Sequence, residues 1–434
     1  MNAAPTYAIW TIGCQMNEAD SRHLATSLEK AGFTPAKEAD DADLIILNTC
    51  VVRQHAEDKI YGRLGALKKT RKQKPHMKIA VMGCLVGVHP DPQLSRRFPF
   101  VDYFAGPSDI DGLLTQIQRD MQIAAHAEET ALYTLPRDAS QCVTAFVPAV
   151  LGCSHGCAYC VIPGRRGAEH SRPADEIMEE VRALAAQGVR EVMLLGQIVD
   201  RYGMDASGGP DLADLLQRVA DIAALYRVRF LTSHPRWITD KLLDTVAAHE
   251  KICPQMEIAV QSGSNQVLQR MRRGYTVETY RALMEKIRSV LPDAAIHTDM
   301  IVGFPGETEQ DFMGSYHLLR DMRFDKVHIA KYSERPGTPA AALYTDDVNA
   351  DEKERRRKML EALQKEIQTE KCREYPGRTV EVLIDGHDRG RWRGRTRRNK
   401  IVFVDSPENL LGKTVPVKIS WAGPFSMIAE KERT

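Results

Sequence analysis

Three closely spaced cysteines constrain this chain more than any other feature. They lie in Val150-Leu-Gly-Cys153-Ser-His-Gly-Cys157-Ala-Tyr-Cys160, directly after an apolar run, 145–151, that reads as a strand. Parallel α/β folds gather ligands beyond the carboxyl ends of their strands, so a cysteine loop in that place asks for a fold with open strand ends. The chain has nine cysteines, an odd number. In a reducing compartment this argues against a disulfide framework and for metal or cluster ligation of any that are grouped.

The surrounding pattern supplies such a fold. In the first 110 or so residues, runs that read as strands (7–12; DLIILN at 43–48; KIAVM at 78–82) alternate with helical spacings (17–31 and 56–72). Continuous apolar strands between helices imply a doubly wound parallel sheet. A polar stretch at 120–140 reads as a linker. A second series follows, with strands expected at 145–151, 189–195, 228–232, 257–261, 295–302 and 326–332, helices between them, and a charged helix at 351–374. Six such strands fit a partial (β/α) barrel. Short strands expected at 379–384, 391–397, 401–404, 415–419 and 426–430 fit a small OB-like β-barrel. The expected division is therefore 1–125, 140–370 and 373–434.

Thiolates commonly hold iron–sulfur clusters, four to a cubane. Three leave one iron open, and the amino and carboxylate groups of S-adenosylmethionine suit an open iron. Electron transfer into its sulfonium would break a carbon–sulfur bond and release a deoxyadenosyl radical. The plainer reading is a zinc site or structural cysteines. Zinc sites usually have four ligands, often two CxxC pairs, and no second pair exists here. CxxxCxxC after a strand resembles the radical S-adenosylmethionine superfamily, whose (β/α) barrel agrees with the six-strand reading. Two further segments look like cofactor-site pieces: Gln261-Ser262-Gly-Ser264 at a strand end, and Ile301-Val-Gly303-Phe-Pro-Gly-Glu307-Thr308, a glycine-rich turn into a helix. Glycine permits close backbone approach and a helix N-terminus favours a carboxylate. The ordinary alternative is a strand–helix turn.

Cys14, Cys50 and Cys84 stand apart in sequence in matching places, TIGCQ, LNTCV and MGCLV, each closing a strand of the first domain. Adjacent parallel strands would bring them to one sheet edge, as ligands of a second cluster. Buried cysteines that act as small apolar groups are the alternative. Cys142, Cys253 and Cys372 lack such settings and read as structural. The two trios together resemble the methylthiotransferases, and the likeness spans nearly the whole chain. It runs through Gly13-Cys14-Gln-Met-Asn17, Asn48-Thr-Cys50-Val-Val-Arg53, Arg166-Gly167, Thr232-Ser-His-Pro235, Met271-Arg-Arg-Gly-Tyr275 and Tyr332-Ser-Glu-Arg-Pro-Gly-Thr338. It departs at Ile198, where asparagine is usual, at Ala259, where proline is usual, and after Cys84.

CQMN, NTCVVR and TSHP look most like the branch, the MiaB type, that acts on tRNA carrying N6-isopentenyladenosine at position 37. Other branches act on N6-threonylcarbamoyladenosine or on a ribosomal-protein aspartate. The resemblance implies two [4Fe-4S] clusters and two S-adenosylmethionine per product. One gives a methyl group to sulfur on the second cluster. The other generates the radical that removes hydrogen from C2 of the adenine. It also implies a reductant such as a flavodoxin or ferredoxin, and a sulfur source. A reading of another class is a non-catalytic iron–sulfur RNA-binding protein.

Net charge is only +1, so any nucleic-acid signal must be local. Arg389, Arg391, Arg393, Arg395 and Arg397 alternate, which on a strand would align them on one face as a phosphate-binding stripe, with Trp392 turned inward. The final 60 or so residues resemble the TRAM RNA-binding domain. The run Lys68–Lys74 reads instead as a solvated helix end. No run of about eighteen apolar residues occurs and the start lacks a secretory pattern, so a cytoplasmic location without membrane attachment is expected; the protein is also expected to be a monomer.

Overall fold

The computed structural model describes residues 4–51, 54–123, 142–206 and 208–431. The chain divides into two compact units: residues 1–141, 145–155 and 160–187 in one, and 142–144, 156–159 and 188–434 in the other.

The first unit is built on a parallel five-stranded sheet. Its strands are β1 (Thr6–Thr11), β2 (Thr34–Pro35), β3 (Leu44–Thr49), β4 (Lys78–Gly83) and β5 (Tyr103–Ala105), in the order β2-β1-β3-β4-β5. The three long apolar strands are those expected, whereas the two- and three-residue edge strands carry too few residues to show a pattern. β3 explains its own sequence. Leu44 and Ile46 face Leu24, Leu28, Leu113 and Ile117 of the helices Gln15–Lys30 and Ile110–Met121. Ile45 and Leu47 face Ile60, Leu64 and Leu67 of the helix Gln54–Gln73. A strand covered on both faces has no polar side to alternate with. The Lys68–Lys74 run closes that helix, where Arg71 pairs with Asp102 and Lys74 with Asp41. The expected linker lies outside the described residues from 124 to its end. Also in this unit, the two-residue strands β7 (Val150–Leu151) and β8 (His170–Ser171) pair antiparallel. They follow β6 (Thr144–Pro148) and bracket the cysteine loop and the helix Ile162–Arg166.

In the second unit β9 (Glu191–Leu195), β10 (Arg227–Leu231), β11 (Gln255–Glu257), β12 (Ala295–Val302) and β13 (Lys326–Lys331) are parallel neighbours in chain order. The single bridges Val228–Ile252 and Ser233–Ile258 join β10 to the next strand. Helices alternate with them, giving a βα series. The strand expected at 257–261 is observed earlier, at Gln255–Glu257; beyond it single bridges at Ile258 and at Gln261, which takes a positive φ of 71°, continue the pairing. After the helix Ala350–Cys372, the strands β14 (Thr379–Asp388), β15 (Arg391–Thr396), β16 (Ile401–Asp405), β17 (Thr414–Ala422) and β18 (Ser426–Lys431) close a barrel in the order β14-β15-β16-β18-β17. Val382, Ile384, Val402, Val404, Val417, Ile419 and Met427 fill it. No helix among the described residues is long and apolar enough to cross a membrane.

Candidate active site

β1, β3 and β4 are adjacent and parallel, with Thr11 level with Asn48 and Thr49 level with Gly83. Cys14, Cys50 and Cys84 therefore leave the same edge of the sheet. Two glycines set how closely they do so. A Cβ on Gly13 would stand 2.9 Å from that of Cys50, and one on Gly83, at φ +96°, would stand 2.6 Å from the Thr49 carbonyl. Cys14 caps the helix Gln15–Lys30; burial pushes its thiol up, against the lowering charge of Arg166 and the hydrogen bond with Asn17. Behind it Asn17 is fully buried. Its Nδ2 donates to Asn48 Oδ1 at 2.8 Å and to the Thr49 carbonyl at 3.1 Å, and its Oδ1 accepts from Cys14 N at 3.4 Å. Cys84 N donates to the Thr49 carbonyl at 2.9 Å, which ties the second and third cysteines together.

The buried cation of this edge is Arg166, to which the sequence reading gave no role. Its Nη2 pairs with Asp20 Oδ2 at 3.2 Å, and both side chains are 3% exposed. Cys14 and Cys84 lie within its field. A hydrogen bond with Cys50 holds the Cys84 thiol well below its usual range, and the charge and hydrogen bond of Arg166 add to this against the opposing effect of burial. Arg166 Nε is buried and has no hydrogen-bond partner among the described residues. Three thiols on one rim, with a buried cation donating toward them, fit an anionic thiolate-bound cluster.

Cys153 and Cys157 are buried and Cys160 is half-buried; none of the nine cysteines is in a disulfide. Cys153 N donates to the Gly167 carbonyl at 3.0 Å, and His155 N donates to Cys153 Sγ at 3.4 Å. Gly152, at φ +65°, passes so close to Ala168 that a Cβ would lie 2.1 Å from its carbonyl oxygen. Cys157 meets Arg273, which is 4% exposed and donates from Nη1 to its Sγ at 3.2 Å. Arg273 Nη2 donates to the Ala259 carbonyl at 2.8 Å and its Nε to the Tyr275 hydroxyl at 3.1 Å. Ala259 thus serves this network through its backbone, which an alanine provides as well as another residue would. Ile198 is buried. Neither arginine was singled out in the sequence for a role; the RRGY and RG motifs that contain them were the available signal.

Of the four expected cofactor contacts, Gln261 stands at the end of the barrel's second ladder, bonded to Asp299 and Ile301 through its backbone. The other three are committed internally. Ser262 Oγ accepts from Ser264 N at 3.2 Å and lies 3.5 Å from Ser315 Oγ. Gly303, at φ +70°, donates its N–H to Glu307. Glu307 is 3% exposed and pairs through Oε2 with Arg356 Nη1 at 2.7 Å. The carboxylate gathered by the glycine-rich turn is thus the chain's own. Among the described residues no three His, Cys, Asp or Glu side chains form a group that could hold a single metal ion.

The arginine stripe is shorter than expected. Arg391, Arg393 and Arg395 share the outer face of β15, while Gly394 and Thr396 face inward and Trp392 packs on the barrel core. Arg389 instead occupies the β14–β15 turn at φ +50°, before Gly390 at +82°; a two-residue hairpin turn of this kind takes its residues off the strand face. Arg397 lies past the end of β15, and its Nη2 donates to the Ile252 carbonyl at 3.1 Å. The three aligned arginines are partly neutralised. Arg391 pairs with Asp405 at 3.0 Å, and Arg393 and Arg395 share Asp385 at 2.9 and 3.2 Å.

Comparison with known proteins identifies the families this chain is similar to. Residues 147–319 match the Radical SAM superfamily, 6–106 the uncharacterized protein family UPF0004, and 373–431 the TRAM domain. The chain is 46% identical over 97% of its length to the tRNA-2-methylthio-N(6)-dimethylallyladenosine synthase of Chloroflexus aurantiacus, covering 90% of that protein. It is 42% identical over 98% of its length to the protein of the same name from Dictyoglomus thermophilum, covering 98% of it. Among solved structures the fold is similar to the radical S-adenosylmethionine methyltransferase TsrM from Kitasatospora setae, with a TM-score of 0.56 and 14% identity over 78% of this chain and 77% of that one. It is also similar to the cobalamin-dependent radical enzyme OxsB, with a TM-score of 0.55 and 12% identity over 83% and 56%. With its identity to these relatives running end to end, the chain belongs to the tRNA-2-methylthio-N(6)-dimethylallyladenosine synthase family of radical S-adenosylmethionine enzymes.

Proposed function

We propose that this chain is a tRNA methylthiotransferase that replaces the C2 hydrogen of N6-isopentenyladenosine, at position 37 beside the anticodon, with a methylthio group. The observation that carries this reading is the coexistence of two cysteine trios, each backed by a buried arginine, in a chain alike from end to end to relatives named for that product. Superfamily membership brings one [4Fe-4S] cluster and S-adenosylmethionine. Cys153, Cys157 and Cys160 are the ligands we assign to that cluster, and Cys14, Cys50 and Cys84 those we assign to a second. When bound, the first supplies the electron that opens S-adenosylmethionine, and the second carries the sulfur.

The chain's own residues do the holding. Arg273 fixes Cys157 through its sulfur and ties it to the backbone at Ala259. Arg166, pinned by Asp20, offsets the negative charge of the Cys14 and Cys84 thiolates. The barrel closed by β14–β18 grips the RNA. An electron donor of flavodoxin or ferredoxin type and a sulfur source complete the reaction, with the protein acting as a monomer.

The experiment is anaerobic turnover of the cluster-reconstituted protein, followed by mass spectrometry of digested tRNA. Release of 5′-deoxyadenosine together with conversion of isopentenyladenosine to its 2-methylthio form is expected. Conversion only of threonylcarbamoyladenosine, or only of a ribosomal-protein aspartate, would reassign the substrate. Absence of 5′-deoxyadenosine would leave a non-catalytic RNA-binding protein.

A further inference from the structure

The C-terminal barrel differs in charge from the rest of the chain. Residues 373–434 hold thirteen lysines and arginines against eight aspartates and glutamates, a net of +5 in a chain whose total is +1. The same module carries the two most exposed aromatic side chains among the large hydrophobic residues, Trp421 at 52% and Phe425 at 69%.

Trp421 is exposed by construction. Along β17, Val417 and Ile419 point inward while Lys418 and Ser420 point outward. Continued, that alternation would send residue 421 into the core. The register instead shifts between Ile419 and Trp421, and Ser420 Oγ donates to the Ile428 carbonyl at 3.1 Å across the irregularity. A bulge re-aims the side chain that follows it. The indole then lies against Gly423, where a Cβ would come within 2.4 Å of the ring. Phe425 follows in the same β17–β18 connection, closed by a bond from Gly423 N to the Ser426 carbonyl at 3.0 Å.

The pairing register extends this surface across the barrel. Trp421 is opposite Ile428, Ile428 is beside Phe403, and Phe403 is opposite Arg393. Ile428, Phe403 and Arg393 are all half-exposed. One outward row therefore runs from a tryptophan over two apolar side chains into the arginine face of β15. An aromatic platform bordered by cations is what an unpaired nucleic-acid strand requires, since every base has a face to stack and every linkage a phosphate to neutralise.

We propose that the Trp421–Phe425 connection, with Phe403 and Ile428, is a stacking site for unpaired bases of the RNA substrate, and that Arg391, Arg393 and Arg395 hold the adjoining backbone. The proposal rests on the tRNA reading above and specifies which part of the RNA this barrel takes: unstacked loop nucleotides rather than paired stem.

The test measures binding of the full-length protein to a synthetic anticodon stem–loop and to a blunt duplex of the same stem, by fluorescence anisotropy. Trp421→Ala is expected to weaken stem–loop binding about tenfold, the scale of one lost base stack, and to leave duplex binding and the salt dependence unchanged. Trp421→Phe should restore most of the affinity. Arg393→Gln should weaken both RNAs and flatten the salt dependence. Thermal melting checks that each variant folds, as expected for a half-exposed position. Unchanged stem–loop affinity in both Trp421→Ala and Phe425→Ala overturns the proposal. So does a loss that falls equally on the duplex, or a variant whose only defect is reduced self-association. Failure of the wild-type protein to bind either RNA would instead count against the tRNA reading itself.

Discussion

Arg166 and Arg273 each stand against a cysteine of a different trio, and each is almost fully buried. Thiolates grouped in a low-dielectric setting repel one another, and a buried cation lowers that cost. Arg166→Met should therefore lose the second cluster while sparing the first. Iron per chain would fall to about half, and 5′-deoxyadenosine would still form without methylthiolated product. Cys14→Ala should give the same separation, whereas Cys157→Ala should abolish both products. Full methylthiolation by Cys14→Ala would rule out its ligand role. A third buried ionic group lies in the first unit, around Glu180. Glu180 is fully buried and meets Arg22, His23 and Arg172. Burial raises its pKa, but the hydrogen bond with His23 and the charges of His23, Arg22 and Arg172 outweigh burial and bring it down to about 2. An unfolded glutamate titrates near 4.3. The depressed folded value means that Glu180 contributes roughly 3 kcal/mol in full above about pH 5, a contribution lost as pH falls toward 2. Glu180→Gln should lower thermal stability at pH 7 and flatten its decline between pH 5 and 3. Parallel melting curves of the two proteins over that range would refute the assignment.

At the scale of elements, the strands that carry the cysteines were legible because they are buried on both faces and so read as unbroken apolar runs. Leu44–Thr49 and Lys78–Gly83 are the clearest examples. The five barrel strands near the C-terminus were legible for another reason, the Gly, Pro and Asn punctuation between short alternating runs. Features that depend on one residue meeting a distant one were not. Nothing local marks Arg166 as the partner of Asp20, 146 positions away. Nothing in the text SWAGPF announces that the register slips at Ser420. The alternating arginines were visible, but the turn that removes Arg389 and the tether that turns Arg397 aside belong to the hairpin and to Ile252. Turn geometry also yields a prediction. The entry to the cysteine loop requires a left-handed residue with no side chain at 152. Gly152→Ala adds both a strained φ and a collision with the Ala168 carbonyl, a cost of about 1–3 kcal/mol. We expect a lower melting temperature and reduced iron retention, with RNA binding by the C-terminal barrel unaffected. An iron content equal to wild type would show that the loop entry tolerates the change.

At the scale of the molecule, the proposed function asks the C-terminal barrel and the βα series of the second unit to hold a constant relation, and two buried arginines of β10 join them. Arg227 is 1% exposed; it donates to the Arg395 carbonyl and, at 2.9 Å, to Glu381 Oε1. Arg229 is also 1% exposed; it donates to the carbonyls of Thr396 and Arg397 at 2.9 and 2.8 Å while pairing with Glu191 at 2.9 Å. The carbonyls at the end of β15 are thus bound by a strand of the radical barrel, directly behind the arginine face assigned to RNA. The two arginines differ in what their loss leaves behind. Arg229→Met strands Glu191, which is 2% exposed, and a buried carboxylate without its partner costs about 3–5 kcal/mol. Arg227→Met strands only Glu381, which is 53% exposed, so the loss is confined to charged hydrogen bonds, about 1.5–3 kcal/mol. Arg227→Met is therefore the cleaner probe of docking. It should fold, bind the stem–loop RNA with unchanged affinity and still release 5′-deoxyadenosine. Its yield of methylthiolated tRNA per 5′-deoxyadenosine should fall, because an RNA held by a loosened barrel presents its adenosine less often. Limited proteolysis should cut it faster near residue 373 than the wild type. An unchanged product ratio with unchanged proteolysis would show that the two barrels keep their relation without Arg227, leaving the task to Arg229 and Arg397.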